Sequence, residues 1–251
     1  MTKKKNNDFN YELREITVSV ENLNKYYGTI KASDNICFNA YKGDVIALLG
    51  PNGAGKSTLM NMIAGYLAPS GGTIEVMGKN IALYPLEAKN NIGFLPEGAP
   101  LYPDISVKMF LKYMAQLRGV DKNALNAAIE KANIRDVSDQ KIETLSKGYQ
   151  RRVGFAQSIL SNPPILLLDE PTDGLDPNQK DYIRALIKQM ADDKTIIIST
   201  HLLEEAETVC NRIILIDKGK IKADGTLEDI LKIAKAKTLS EAFRKLTAKE
   251  N

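Results

Sequence analysis

The chain has 251 residues, of which 43% are hydrophobic and 26% charged, proportions ordinary for a globular protein with a substantial core. Its formal net charge of +3 is modest, so composition alone indicates neither a nucleic-acid nor a membrane-surface partner. The sequence contains no apolar stretch near the ~20 residues that span a bilayer and no apolar signal-peptide core, so we expect a cytosolic protein that reaches a membrane only through a partner.

The first part of the chain is predicted to be an extension followed by strands. Residues 1–15 are polar and contain a run of three lysines, which predicts a solvated, mobile end rather than a lipid-binding segment. Residues 16–41 are strand-like with a turn at 27–29, and residues 73–77 alternate polar and apolar side chains. These segments predict an antiparallel β lobe.

Residues 50–58 match the pattern G-x-x-x-x-G-K-[ST], the P-loop that cradles nucleotide phosphates. A buried strand is predicted before it at 44–49, and apolar residues at helical spacing follow it. Glycines let backbone N–H groups approach the phosphates, and the helix N-terminus adds the positive end of a dipole. We expect Lys56 to reach the β- and γ-phosphates and Ser57 to ligate Mg²⁺. The predicted nucleotide-binding residues of this loop are Asn52, Gly53, Ala54, Gly55, Lys56, Ser57 and Thr58.

Residues 100–160 are predicted to form a helical lobe. Ser106 is a suitable N-cap, and apolar residues recur at helical spacing on both sides of Gly119. Further on, Ser146 precedes a helix predicted at 151–161. On the residues alone, Ser146 is either a structural N-cap or part of a second anion site at a helix N-terminus.

Two adjacent carboxylates, Asp169 and Glu170, follow a buried strand predicted at 165–168. Ligands of open α/β sheets bind outside the carboxyl ends of the strands. We therefore expect Asp169 to bind Mg²⁺ and Glu170 to orient or deprotonate an attacking water molecule.

The single histidine, His201, comes shortly after a strand predicted at 195–198. This order places it at the same sheet edge as the two carboxylates, where it could donate a hydrogen bond to a γ-phosphate. Asp176 followed by Pro177 predicts the start of a helix. The alternation of strands and helices after residue 164 predicts a parallel sheet covered by helices, and hence an α/β fold.

The two cysteines, Cys37 and Cys210, form neither a disulfide framework nor a metal-binding spacing. Ile36 and Phe38 flank Cys37, and Val209 precedes Cys210. We expect both to be small buried side chains in a reducing compartment.

Together these motifs resemble those of the ATP-binding cassette ATPases, the nucleotide-binding subunits of ABC transporters. The resemblance covers about residues 16–235, and it rests on residues 50–58, 145–150, 166–170, 174–176 and His201, in the family's order and spacing. It implies a P-loop NTPase (RecA-like) core with a parallel sheet, an antiparallel β lobe, a helical lobe at about 100–160 and a C-terminal helical tail at 236–251. It also implies binding and hydrolysis of ATP with Mg²⁺.

The resemblance further implies how the site is completed. Two cassettes pair head to tail, as a homodimer or a heterodimer, and ATP lies between the P-loop of one and Ser146 and Gly148 of the other. Asp176 would lie in the loop that couples the two sites. Tyr27 would stack on adenine, with Tyr26 as a rival for that role. The implied partner is an integral membrane permease, with no nucleic acid, and the transported small molecule or polymer is not bound by this chain.

Three positions depart from the family's usual pattern. Lys147 and Tyr149 stand where glycine and glutamine are usual. Glu97 stands where the family usually has glutamine, in the loop that touches both Mg²⁺ and the membrane subunit, so we expect it at the metal site with Ser57 and Asp169. These departures, and an amphipathic ending at 239–247, are similar to those of a subset that serves ABC-2 type exporters.

A different function class is a soluble cassette ATPase that acts on DNA or ribosomes, or one that regulates a membrane partner without transport. Only 90 positions separate Lys56 from Ser146 (146 − 56), without the sustained heptads of DNA-organising relatives. The chain also carries one cassette, whereas ribosome-associated relatives carry two. The exporter ATPase is therefore the leading hypothesis, and the regulatory alternative stays open at this point.

Overall fold

Two β-sheets and the helices that cover them organise the protein, and the computed structural model describes residues 14–98 and 100–248. In chain order the strands of these residues are β1 (Ile16–Tyr27), β2 (Ile30–Tyr41), β3 (Val45–Leu49), β4 (Gly71–Val76), β5 (Lys79–Asn80), β6 (Ile92–Leu95), β7 (Ile165–Asp169), β8 (Thr195–Thr200), β9 (Arg212–Asp217) and β10 (Lys220–Gly225). The helices are α1 (Lys56–Ile63), α2 (Pro85–Asn90), α3 (Val107–Leu117), α4 (Lys122–Lys131), α5 (Lys147–Ile159), α6 (Pro177–Met190), α7 (Leu203–Thr208), α8 (Leu227–Ala234) and α9 (Leu239–Thr247). Nearly all of the predicted N-terminal extension, residues 1–15, lies outside this part of the chain.

The central six-stranded sheet has the order β10-β9-β3-β8-β7-β6. All its strands are parallel except β10, which is antiparallel to β9. The second sheet, β2-β1-β4-β5, is antiparallel throughout. The predicted α/β fold, with a parallel core sheet and an antiparallel β lobe, is therefore confirmed. The one addition is the antiparallel edge strand β10.

Alternate side chains of the central strands enter two different cores. In β7, Leu166 and Leu168 pack with the cluster formed by α3, α5 and α6, whereas Ile165 and Leu167 pack with α1 and the antiparallel sheet. Successive side chains of a strand point to opposite faces, and here both faces are covered. This is why β3, β7 and β8 are near-continuous apolar runs.

Helices α3, α4 and α5 lie in the segment predicted as a helical lobe. Ser106 caps α3 and Ser146 caps α5, each hydroxyl accepting a backbone N–H three residues on. The helix predicted at 151–161 therefore begins earlier, at Lys147, and ends at Ile159. The glycine and polar residues in its first turn carry no apolar periodicity, so the sequence pattern placed its start too late.

Helices α8 and α9 pack on the β9–β10 side of the central sheet. Thr226 and Asp229 form a reciprocal capping box at the start of α8. Leu239 and Ala242 of α9 are fully buried in a cluster that includes Leu215 of β9. The amphipathic ending is thus packed on the sheet by its apolar face. No helix within residues 14–98 and 100–248 is both long and apolar enough to cross a lipid bilayer.

The prediction of two buried cysteines is wrong for Cys37, which is exposed on β2. Its neighbours Ile36 and Phe38 are buried, and the alternation of side chains along a strand turns the residue between them outward. Cys210 is half-buried and packs beside the core, where burial raises the pKa of its thiol. Both thiols are free.

Candidate functional site

The glycine-rich loop connects β3 to α1 at the carboxyl edge of the central sheet. A Cβ atom at Gly50 would lie 2.2 Å from the carbonyl oxygen of Ile216, and one at Gly55, where φ is +103°, would lie 2.1 Å from that of Ala32. Both positions therefore require glycine. Helix α1 has no side-chain N-cap bond, so the N–H groups of its first turn are left available to an anion.

Lys56 is the first residue of α1 and its side chain is only 7% exposed. Its Nζ donates hydrogen bonds to the carbonyl oxygens of Gly50 at 2.7 Å and Pro51 at 3.1 Å. Burial lowers the pKa of Lys56, and neighbouring carboxylates, first that of Glu170, oppose this shift. The ammonium thus lies inside the loop, where phosphate oxygens could replace the two carbonyl oxygens.

An open cleft of about 410 Å³ runs along this loop. Its lining residues are Ile30, Lys31, Ala32, Asn52, Gly53, Gly55, Lys56, Ser57, Thr58, Glu97 and Glu170. The structure therefore brings the predicted P-loop residues together with two carboxylates from other parts of the chain. Ala54 also belongs to the loop, but it is buried and does not line the cleft. Its carbonyl oxygen accepts a hydrogen bond from the N–H of Gly219. The three lining residues from the start of β2 were not predicted, because they belong to no motif.

Asp169 ends β7 and is 1% exposed, and neither of its carboxylate oxygens has a hydrogen-bond partner in the structure. A buried carboxylate is costly unless a cation or donors approach it. Within residues 14–98 and 100–248, no three or more His, Cys, Asp or Glu side chains surround a common metal position. Mg²⁺ in nucleotide sites usually takes one or two protein oxygens together with phosphates and water. Asp169 and the Ser57 hydroxyl fit that donor set.

Glu170 and His201 are paired where β7 and β8 end. The Nδ1 atom of His201 lies 2.8 Å from the Glu170 carboxylate. Burial raises the pKa of Glu170, and the hydrogen bond from His201 opposes this. Glu170 also has a φ of +54°, in the left-handed region that residues with a side chain seldom adopt. A carboxyl group whose pKa is raised takes up a proton more readily than an ordinary glutamate. Because the surrounding structure also holds its backbone in an uncommon conformation, Glu170 suits the role of a general base.

Glu97 lies in the loop that follows β6 and is exposed. Because β6 pairs with β7, this loop runs beside Asp169 and Glu170. Glu97 lines the same cleft as Ser57, so the structure places it near the candidate metal ligands.

Ser146, Gly148 and Asp176 are not among the residues that line this cleft. Ser146 caps α5, and Asp176 caps α6 by accepting a hydrogen bond from the backbone N–H of Gln179 at 3.0 Å. A Cβ atom at Gly148 would lie 3.2 Å from the carbonyl oxygen of Gly174. The first turn of α5 and the loop before α6 are therefore packed together, away from the cleft of their own chain.

Two exposed tyrosines, Tyr26 and Tyr27, stand beside the cleft without lining it. They pair across the β1–β2 hairpin with Lys31 and Ile30, which do line it. Lysine ammonium groups lie over both rings, at 5.8 Å for Tyr26 and 5.3 Å for Tyr27. Both remain candidates for an aromatic contact at the rim.

Besides the three residues of β2, Arg151 is a residue at the site that the sequence did not predict. It is buried, and it donates hydrogen bonds to the backbone carbonyl oxygen of Glu170, at the end of β7, and to that of Pro96, after β6. The signal was weak, because adjacent arginines in a polar helix usually indicate a solvated face.

The sheet, the glycine loop and the acids at neighbouring strand ends together define a P-loop ATPase. Residues 33–173 match the family described as ABC transporter. An uncharacterised ABC transporter ATP-binding protein of Methanocaldococcus jannaschii is 40% identical over 85% of this chain and 79% of its own length. The Nod factor export ATP-binding protein I of Ralstonia nicotianae is 33% identical over 85% of this chain and 68% of its own.

Among solved structures, the dimeric post-hydrolysis state of the ATP-binding cassette MJ0796, bound to ADP and Pi, superposes with a TM-score of 0.75. It is 26% identical and covers 84% of this chain and 98% of its own. The chain belongs to the ABC transporter family and is an ATP-binding ATPase subunit of that family.

Proposed function

We propose that the chain powers an ABC exporter and that its active unit is a head-to-tail dimer closed by ATP. The observation that carries the proposal is a cleft that contains half of the expected machinery. It is lined by the P-loop, Glu97 and Glu170, whereas Ser146 and Gly148 are not among its lining residues. A second cassette would supply those two residues. The dimeric cassette with ADP and Pi and the relative named for Nod factor export support this proposal.

In this proposal the P-loop binds the triphosphate. The N–H groups at the start of α1 and the Lys56 ammonium contact the β- and γ-phosphates. Asp169 and Ser57 hold Mg²⁺, which when bound offsets the negative charge of the phosphates. Tyr27, or its neighbour Tyr26, stacks on the adenine.

Glu170 is the proposed general base that orients and deprotonates the attacking water. His201 contributes in two ways. Its Nδ1–H donates to the Glu170 carboxylate and so holds that side chain in place. Its Nε2 donates to the γ-phosphate only when the ring is protonated, because a neutral imidazole has one N–H.

In the closed dimer, Ser146 and Gly148 contact the γ-phosphate of the nucleotide bound by the partner. Helix α5 has no acidic residue in its first turn, so its N-terminus is favourable for an anion. Asp176 lies in the loop against which Gly148 packs, and we propose that this loop couples the two sites.

A mixing experiment tests the shared site directly. Lys56→Ala damages the P-loop of one chain, and Ser146→Arg damages the surface offered to the partner. Each variant alone should hydrolyse ATP poorly. A mixture should recover activity, because a mixed dimer holds one site built from an intact P-loop and an intact Ser146.

Ser106→Arg is the matched control, since Ser106 caps α3 as Ser146 caps α5. Loss of such a cap destabilises a helix by about 1 kcal/mol, so the control reproduces the structural damage. It should leave turnover close to wild type. A mixture no more active than its components would argue against a site shared between chains.

Glu97 allows a test of the metal assignment. Glu97→Gln should keep ATP binding but raise the Mg²⁺ concentration needed for half-maximal turnover, because one negative charge beside the cation is lost. A unit charge about 4 Å from a cation in water contributes roughly 1 kcal/mol of attraction, which corresponds to about a five-fold change in the Mg²⁺ concentration required. Mg²⁺ titrations of turnover measure this, with the exposed Glu75→Gln on β4 as control. Identical titrations for Glu97→Gln and wild type would contradict the assignment.

The permease partner is proposed to dock at a groove of about 390 Å³ beside the Glu97 loop and α3. Tyr66 and Tyr102 in this groove are 71% and 54% exposed and so offer apolar surface to a partner. Docking there would hold the subunit on the cytoplasmic face of the membrane. The permease would bind the transported small molecule or polymer, and this chain would not.

A further inference from the structure

Arg151, on the second turn of α5, joins three parts of the molecule through one guanidinium group. Its Nε and Nη2 donate to the backbone carbonyl oxygen of Glu170 at 3.0 and 2.7 Å. Its Nη1 donates to the carbonyl oxygen of Pro96 at 2.8 Å. The side chain is 6% exposed, so these bonds are shielded from water.

The Glu170 peptide that Arg151 holds has the unusual backbone conformation described above, with φ at +54°. Its N–H donates to Ser199 on β8 at 2.9 Å, and its carbonyl oxygen also accepts from the N–H of Asp173 at 3.1 Å. The direction of the Glu170 side chain depends on this peptide. Arg151 is the contact that ties the peptide to α5.

The bond from Nη1 of Arg151 to Pro96 fixes a second part of the cleft, the loop that carries Glu97. Pro96 immediately precedes Glu97, which lines the cleft together with the P-loop. One side chain therefore spaces the Glu97 loop from the end of β7. About one turn earlier, at the start of α5, are Ser146 and Gly148, the residues proposed to meet the partner's nucleotide.

The charge of Arg151 also belongs to the site. Burial lowers its pKa, and the carboxylates of Asp169, Asp173, Glu170 and Glu97 oppose the shift. The N–H groups of a planar guanidinium point in fixed directions, whereas the donors of an ammonium rotate on a flexible stem. The two functions, bridging and charge, therefore call for arginine.

We infer that Arg151 is a positioning residue for ATP hydrolysis, which fixes the Glu170 backbone and the Glu97 loop relative to α5. A shift of the N-terminus of α5 against the partner's nucleotide then moves the base and the cleft wall of its own chain. The inference rests on the proposed function and adds a route from one site of the dimer to the other.

Arg152 provides a matched control, because it differs from Arg151 in what it connects. It is 4% exposed, donates to the carbonyl oxygen of Asn133 at 2.7 Å, and lies 4.0 Å over the ring of Tyr149. These contacts stay between α5 and the residues that follow α4. Arg152→Gln removes a buried arginine of the same helix without touching Glu170 or the Glu97 loop.

Steady-state hydrolysis by Arg151→Gln, Arg151→Lys and Arg152→Gln tests the inference. Arg151→Gln should lower kcat roughly 10- to 100-fold, the loss typical of a misplaced catalytic group. The KM for ATP should change far less, since the P-loop is intact. Arg151→Lys should give an intermediate kcat, and Arg152→Gln should stay close to wild type. If Arg151→Gln fails to fold, Arg151→Lys alone decides.

A kcat for Arg151→Lys equal to wild type, or a loss in Arg151→Gln no larger than in Arg152→Gln, would overturn the inference. Single-turnover rates in a Glu170→Gln background add a second measurement. If Arg151 acts through Glu170, Arg151→Gln should slow that background much less than it slows wild type. Equal slowing in both backgrounds would count against positioning. A wild-type chain without ATPase activity would instead overturn the proposed function itself.

Discussion

Glu170→Gln is expected to reduce kcat for ATP hydrolysis by about 10²- to 10⁴-fold, the range seen when a general base is removed. Glutamine has nearly the same shape but cannot accept the proton of the attacking water. ATP affinity should persist, because Lys56 and the α1 N-terminus are unchanged. Turnover close to wild type would contradict the role given to Glu170.

The same residue sets an expectation for pH. Burial raises the pKa of Glu170 above its ordinary value, and the His201 hydrogen bond only partly opposes this. A base with a raised pKa is protonated at a higher pH than an exposed glutamate. The acid limb of the kcat profile should therefore lie above the usual glutamate range, and the residual activity of Glu170→Gln should lack it.

Lys56→Ala should weaken nucleotide binding itself. Hydrogen bonds to charged groups contribute about 1.5–3 kcal/mol, so the dissociation constant of ATP should rise roughly 10- to 100-fold. Titration of the purified chain with a fluorescent ATP analogue measures this. The effect should be larger for ATP than for AMP, which lacks the β- and γ-phosphates.

Lys194 is the matched control for Lys56. It is also 7% exposed, also has a pKa lowered by burial, and donates to the carbonyl oxygen of Pro163 at 2.7 Å. It precedes β8, however, and so lies at the edge of the sheet opposite the cleft. Lys194→Ala should destabilise the fold and leave ATP affinity unchanged. Equal loss of affinity in both variants would show that Lys56→Ala acts through stability.

The features that local sequence determines could be predicted. The P-loop is a contiguous pattern whose glycines and lysine have fixed chemical reasons, and the strands before Asp169 and His201 are apolar runs with polar ends. Helix starts with an Asp or Ser cap, as at Asp176 and Ser106, were also predicted correctly. In each case the physical cause lies within a few residues of the position it determines.

Features that depend on distant contacts could not be predicted. Arg151 bonds to carbonyl groups 19 and 55 residues away, and no periodicity in α5 indicates them. The pairing of His201 with Glu170 needs the neighbouring order of β7 and β8. Cys37 was placed wrongly because its flanking apolar residues indicate a buried strand but not which of its two faces carries the cysteine.

Light scattering of Glu170→Gln with nucleotide is the most direct test of an ATP-closed dimer. We expect the variant to bind ATP and to turn it over slowly, so the closed form should accumulate. We predict that the molar mass of Glu170→Gln doubles with Mg·ATP and stays that of a monomer with Mg·ADP. A chain that carries Ser146→Arg as a second substitution should not double in mass with Mg·ATP. A protein that binds Mg·ATP and remains monomeric at all concentrations would contradict the shared site.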